Sequence, residues 1–194
     1  MLLLGAILAG GVAGLLRAKA SSRPYRMAEP HDWWLVVLAF VPQWLTFFWG
    51  PTRRLANESA AAAVLVSSQT LLLWFAWRNR GQRAFWWLGF GLLLNWLVIC
   101  LNGGLMPISP KTVSRLAPDL DIRTIPVGER LGGSKDIVLE EQTIWLPWLA
   151  DRMVTPNWWP QRAAFSLGDI FVAIGAFLWL WQAGGSPKAP NPER

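Results

Sequence analysis

Cysteine and histidine are almost missing from this chain, which has one of each in 194 residues. Cys100 alone rules out an intrachain disulfide and a thiolate metal cluster. With His31 the sole imidazole, the donor set for a zinc centre is too small, so neither a metal nor another cofactor is expected. Charge is scarce too. Only 15% of residues are Asp, Glu, Lys or Arg, against 53% hydrophobic, and the apolar residues fall in long blocks rather than short alternating runs. That pattern implies an all-α polytopic membrane protein and excludes an ordinary soluble domain. The net charge of +6 would suggest nucleic acid in a soluble protein. Here the basic residues sit in short segments between apolar blocks and read as topology signals, so the expected partner is the lipid bilayer and not nucleic acid.

What is present in quantity is apolar length and tryptophan. Five blocks, about 2 to 16, 33 to 50, 59 to 77, 84 to 102 and 164 to 182, approach the roughly 20 residues that a helix needs to cross about 30 Å of hydrocarbon. For the first block a secretory leader is the competing reading, because Ala18 and Ala20 make an Ala-x-Ala pattern. No basic segment precedes it and Arg17 follows it, flanks that favour a retained helix. Arg17, Lys19, Arg23 and Arg26 in the first connection, and Arg78, Arg80 and Arg83 in the third, outnumber Arg53 and Arg54 in the second. The positive-inside rule then puts the N-terminus outside, the tail 183–194 in the cytoplasm and the connection 103–163 on the outer face. Many of the 15 Trp fall at block ends, where indoles anchor helices at both interfaces.

Within the blocks, Ala6, Gly10 and Gly14 form a small-residue face suited to close helix packing, within the chain or between copies. Pro42 and Gln43 suggest a kink, and Asn95 and Asn102 lie seven residues apart on one helix. No block has an ionisable residue at its centre, which disfavours an ion-coupled carrier. The connection 103–163 is too long for a passive loop. Its seven basic residues balance seven acidic ones, and "TIWLPWLADRM" is expected to lie on the outer interface as a short helix. "GGSK" lacks the spacing and setting of a phosphate loop.

Two acidic residues draw attention at this outer face. Asp169 stands a turn inside the last block and Asp151 lies 18 residues before it, with Pro156 and Pro160 between them favouring a chain that folds back. Two carboxyls brought together would share a proton and polarise water for attack on a peptide carbonyl. Against this, Ser166-Leu167-Gly168-Asp169 fits a capping box, which places an acid at a helix start with no catalysis at all. Asp151 in turn can simply pair with Arg152 or Arg162.

The segment "DRMVTPNWWPQRAAFSLGDIFVAIGAFLW" resembles the C-terminal third of the lipoprotein signal peptidases, small bacterial membrane aspartyl proteases. Asp151-Arg152 matches part of their Asn-x-x-Asp-Arg element. Phe165, Ser166, Gly168 and Asp169 match their Phe-Asn-x-Ala-Asp element, with Ser for Asn and Gly for Ala. The resemblance implies Asp151 and Asp169 as a catalytic dyad, with Asn102, Arg152 and Ser166 as substrate-binding groups. Trp148 stands where that family has its first Asn, and some forty extra residues precede Asp151. Across the whole chain, "NGGLMP", "GSKDIVLEEQT", "LADR" and "FSLGDI" are similar to an uncharacterised family of small bacterial membrane proteins. The first expectation is therefore a non-catalytic protein of the bacterial cytoplasmic membrane whose outer connection docks another membrane protein. The second is an intramembrane aspartyl endopeptidase acting on a membrane-anchored chain.

Overall fold

The computed structural model describes residues 2–53, 56–120, 127–159 and 161–185. Its long elements are α1 (Leu2–Ala20), α2 (Trp34–Phe47), the single turn α3 (Gly50–Arg53), α4 (Glu58–Arg78) and α5 (Arg83–Leu101). The connection then carries β1 (Met106–Ile108), α6 (Pro110–Leu116), β2 (Asp136–Val138), β3 (Met153–Val154) and β4 (Ala164–Phe165), before α7 (Leu167–Ala183) closes the chain. Of these helices, α1, α4 and α5 are long and apolar enough to cross a membrane. The apolar α2 and α7 have 14 and 17 residues; at 1.5 Å per residue they reach roughly 21 and 26 Å, short of about 30 Å of hydrocarbon.

The expected block boundaries move by a few residues, each for a local reason. Asn57 caps α4 by accepting a hydrogen bond from the Ala60 N–H, which sets that start. Helix α7 begins later than the apolar run because Ala164 and Phe165 are used in a strand and Ser166 is the cap. Pro42 lies inside α2.

The helices pack in the order α1, α7, α5, α4, α2. Gly10 lies against the Phe177 backbone and Gly14 against that of Leu180, so α1 and α7 run in the same direction. Gly91 faces Gly168 and Val172 while Gly175 faces Leu88, so α5 runs opposite to α7. Leu35 meets Phe75, and Phe47 meets Ala61 and Leu65, which makes α2 and α4 antiparallel. At Gly10 and Gly14 the small-residue face of α1 is thus packed within the chain against α7, the first of the two arrangements that it suits. The outward faces are apolar instead: Leu4, Leu8, Val12, Leu15 and Leu16 of α1 are all more than half exposed, the inverse of a soluble helix.

At one end of this row, Asn79 holds the backbone of His31 from both sides, and the Arg26 N–H donates to the Ala183 carbonyl. At the other end sits the connection. Leu105, Met106 and Leu149 pack with Phe47, Leu65, Val98 and Ile99 into one core, fastening the connection to the ends of α2, α4 and α5. The all-α expectation fails in this segment, since β1 pairs in parallel with β2 and β3 antiparallel with β4. The expected interfacial helix in "TIWLPWLADRM" is also absent, and the stretch is a series of turns. Leu146 adopts φ 57° before Pro147, a combination that stops a helix from propagating.

Candidate functional site

The start of α7 is built from contacts that a helix end requires. Ser166, wholly buried, accepts the Asp169 N–H at 3.0 Å, and Asp169 Oδ2 accepts the Ser166 N–H at 3.0 Å. This is the reciprocal capping box expected from S-x-x-D. A third side chain completes it from α5: Asn95 Nδ2 donates to Asp169 Oδ1 at 2.8 Å, and Ser166 Oγ donates to Asn95 Oδ1 at 2.8 Å. Gly168 makes room for this amide, because a Cβ there would stand 2.6 Å from Asn95 Cγ and 2.7 Å from the Gly91 carbonyl oxygen. Both oxygens of Asp169 therefore have donors.

Asp151 reaches the same region through the fold-back expected from Pro156 and Pro160, the second of which lies outside the described residues. Strand β3 returns as β4 with Met153 opposite Phe165, and the Thr155 N–H donates to the Ala163 carbonyl. On the other side, the Asp151 N–H donates to the Pro107 carbonyl of β1 at 3.1 Å. The side chain is 1% exposed. Lys135 Nζ, just before β2, donates to Asp151 Oδ2 at 2.6 Å and to Asp136 Oδ1 at 3.0 Å. Asp151 Oδ1 is buried with no hydrogen-bond partner, a costly state for a charged oxygen.

The electrostatics follow from that enclosure. Burial, reinforced by the negative charges of Asp136 and Asp169, pushes the Asp151 carboxyl up to about 7 although Lys135 pulls it down. Lost hydration works against the Lys135 ammonium, but Asp136, Asp151 and Asp169 outweigh it and hold its pKa well above the ordinary lysine value. So Asp151 and Asp169 share one field. Among the described residues they share no hydrogen bond, and the partner of Asp151 is Lys135 rather than Arg152 or Arg162.

The remaining site residues are placed as follows. Asn102 caps the C-terminal end of α5 and grips the backbone of Trp145, accepting its N–H at 2.9 Å and donating to its carbonyl at 3.0 Å. Arg152 points to the exposed side, and its carbonyl accepts from Arg115 at 3.4 Å. Lys135 was missed by sequence reasoning, because "GGSK" matched no motif and the 16-residue separation from Asp151 carries no periodic signal. Beside Asp151 opens a cleft of about 340 Å³ whose lining includes Ser109, Lys111, Arg115, Trp148 and Arg152. Among the described residues no three His, Cys, Asp or Glu side chains are grouped to hold a metal ion.

Comparison with known proteins places the chain. An uncharacterized protein of Thermotoga maritima is 31% identical over 116 residues, which cover 60% of this chain and 61% of that relative. The chain thus spans less than two thirds of that relative's length. No solved structure matches. Residues 30–181 match a family of unknown function, DUF5317. With most of its length inside that match, including both aspartates, Lys135 and the whole connection, the chain belongs to the DUF5317 family.

Proposed function

We propose that this protein crosses the bacterial cytoplasmic membrane five times, with its N-terminus outside, and uses the connection 103–163 as a non-catalytic docking module on the outer face. Three span-length helices support this reading. So does the alternation of direction, since α1 and α7 run together and α5 runs against them, as serial crossings require. Helices α2 and α7 cross with their shorter apolar lengths matched by local thinning of the bilayer. Exposed Trp33, Trp34, Trp77 and Trp86 near one end, with Trp49 and Trp158 near the other, suit two interfacial girdles. The single observation that carries the non-catalytic reading is the satisfaction of Asp169: its two oxygens are taken by the Ser166 N–H and the Asn95 amide.

The second reading is an aspartyl endopeptidase using Asp151 and Asp169, with Asn102, Arg152 and Ser166 around the substrate. It is favoured by one observation, the rise of the Asp151 carboxyl to about 7 in a field that includes Asp169. One experiment separates the two. Native protein and the Asp151→Asn and Asp169→Asn variants are extracted in mild detergent from cells, and bound proteins and membrane-anchored processing products are compared by mass spectrometry. Docking predicts one stable membrane partner with all three chains and an unchanged set of products. The peptidase predicts accumulation of an uncleaved precursor with each variant. A lone monomer in every case overturns the docking module.

A further inference from the structure

The cleft beside Asp151 has two unlike walls. One is cationic: Lys111 and Arg115 from α6, and Arg152. Arg115 donates to the Arg152 carbonyl at 3.4 Å, while Arg162 lies in the neighbouring depression, where its guanidinium donates to the Arg115 carbonyl at 3.4 Å and to Asn157 Oδ1 at 2.9 Å. None of these four side chains has a carboxylate within 4.0 Å among the described residues. Cations that line one cleft without a carboxylate beside them favour an anion there. Glu141 is the acidic side chain on the rim, and Asp151 at the floor is already paired with Lys135.

The other wall is apolar, made by Ile144, Pro147 and Trp148. Its position is fixed by the hydrogen bonds of Asn102 to Trp145, which hold it at the end of α5. Trp145 and Trp148 remain 66% and 51% exposed there, as indoles do where hydrocarbon meets water. A small soluble anion would use the cationic wall and leave the apolar one bare. An amphiphile whose phosphate meets the arginines while its glycerol and first methylenes lie on Trp148 uses both.

We propose that this cleft binds the phosphodiester headgroup of an anionic phospholipid from the outer leaflet, with Arg115 and Arg152 on the phosphate, Lys111 in support, and Trp148 against the glycerol. The inference rests on the membrane topology proposed above but not on a protein partner. It gives the connection a lipid-dependent seat on the bilayer.

The test is native mass spectrometry of the full chain in non-ionic detergent, with dioleoyl phosphatidylglycerol, dioleoyl phosphatidylcholine or inorganic phosphate added. One phosphatidylglycerol should remain bound in preference to phosphatidylcholine. An interfacial cation facing anionic lipid contributes about fivefold to affinity, so Arg115→Gln with Arg152→Gln should lower retention about 25-fold by the same rule. Should that pair disturb the loop carbonyls and fail to fold, Lys111→Gln removes an exposed ammonium that has no hydrogen bond among the described residues and should lower retention about fivefold. Equal retention of the two lipids, or unchanged retention in the folded variants, overturns the proposal. Displacement of phosphatidylglycerol by millimolar inorganic phosphate also overturns it, by assigning the cleft to a free anion. Loss of lipid binding with a protein partner still co-purifying would sink this inference and leave the docking module standing.

Discussion

At the scale of single residues, Asp151 and Asp169 show how the same side chain acquires different partners from its surroundings. Asp169 lies in the first turn of α7, where backbone N–H groups and the Asn95 amide supply donors to both oxygens. Asp151 has one donor, Lys135, and one buried oxygen without any. The second arrangement has a signature in pH. The folded Asp151 carboxyl titrates near 7, above its ordinary value near 3.8, chiefly because it is buried. Between those values the folded protein binds more protons than the unfolded chain, so stability falls as pH rises through the window and levels off above it. Melting curves of the detergent-solubilised protein from about pH 5 to about pH 8 should show this decline, and Asp151→Asn should flatten it. A native profile that is already flat, or one that rises, would mean the carboxyl is not enclosed as described.

At the scale of elements, the contact of α5 with α7 depends on small residues at two levels: Gly91 and Gly168 face each other's backbone, and Gly175 faces that of Leu88. Gly168 matters most because it also admits the Asn95 side chain to the cap. The variant Gly168→Ala would press a methyl group against Asn95 Cγ and the Gly91 carbonyl. Overpacking of this kind destabilises by about 1 to 3 kcal/mol. Thermal unfolding should show that loss, whereas Gly11→Ala, which meets nothing within 4 Å, should leave stability nearly unchanged. Equal melting temperatures for the two variants would remove the close approach of α5 and α7 as a source of stability. The cap was legible beforehand because it is local: Ser166 and Asp169 are three residues apart, and the box follows from helix geometry alone. Its extension to Asn95 was not, since a contact over 74 positions leaves no mark in either segment's periodicity.

At the scale of the whole molecule, the helices expose their apolar side chains outward and bury glycine and alanine between them. Such a surface is unfavourable in water and suited to lipid, where close packing rather than the hydrophobic effect holds helices together. The proposed topology puts the connection outside and the third connection inside. In a Cys100→Ser background, Glu141→Cys should react with a membrane-impermeant maleimide on intact cells, and Arg80→Cys only after permeabilisation. The reverse pattern would invert the orientation, and labelling of both on intact cells would break the alternation of crossings.

Residue order dictates where the apolar helices begin and end to within a few positions, because in the proposed bilayer setting hydrocarbon cannot hydrate a backbone and a long apolar run must satisfy its own N–H and C=O groups. It also dictates the capping box and the fold-back between Asp151 and α7, both local matters of helix ends and turns. The path of residues 103–163 is different. Its two short ladders, the turn at Leu146 and the meeting of Lys135 with Asp151 depend on which distant segments can be packed on the ends of α2, α4 and α5 at once. Each such pairing is weak alone and stable only in the company of the others, so nothing in a single stretch of chain announces the buried ion pair or the two-walled cleft beside it.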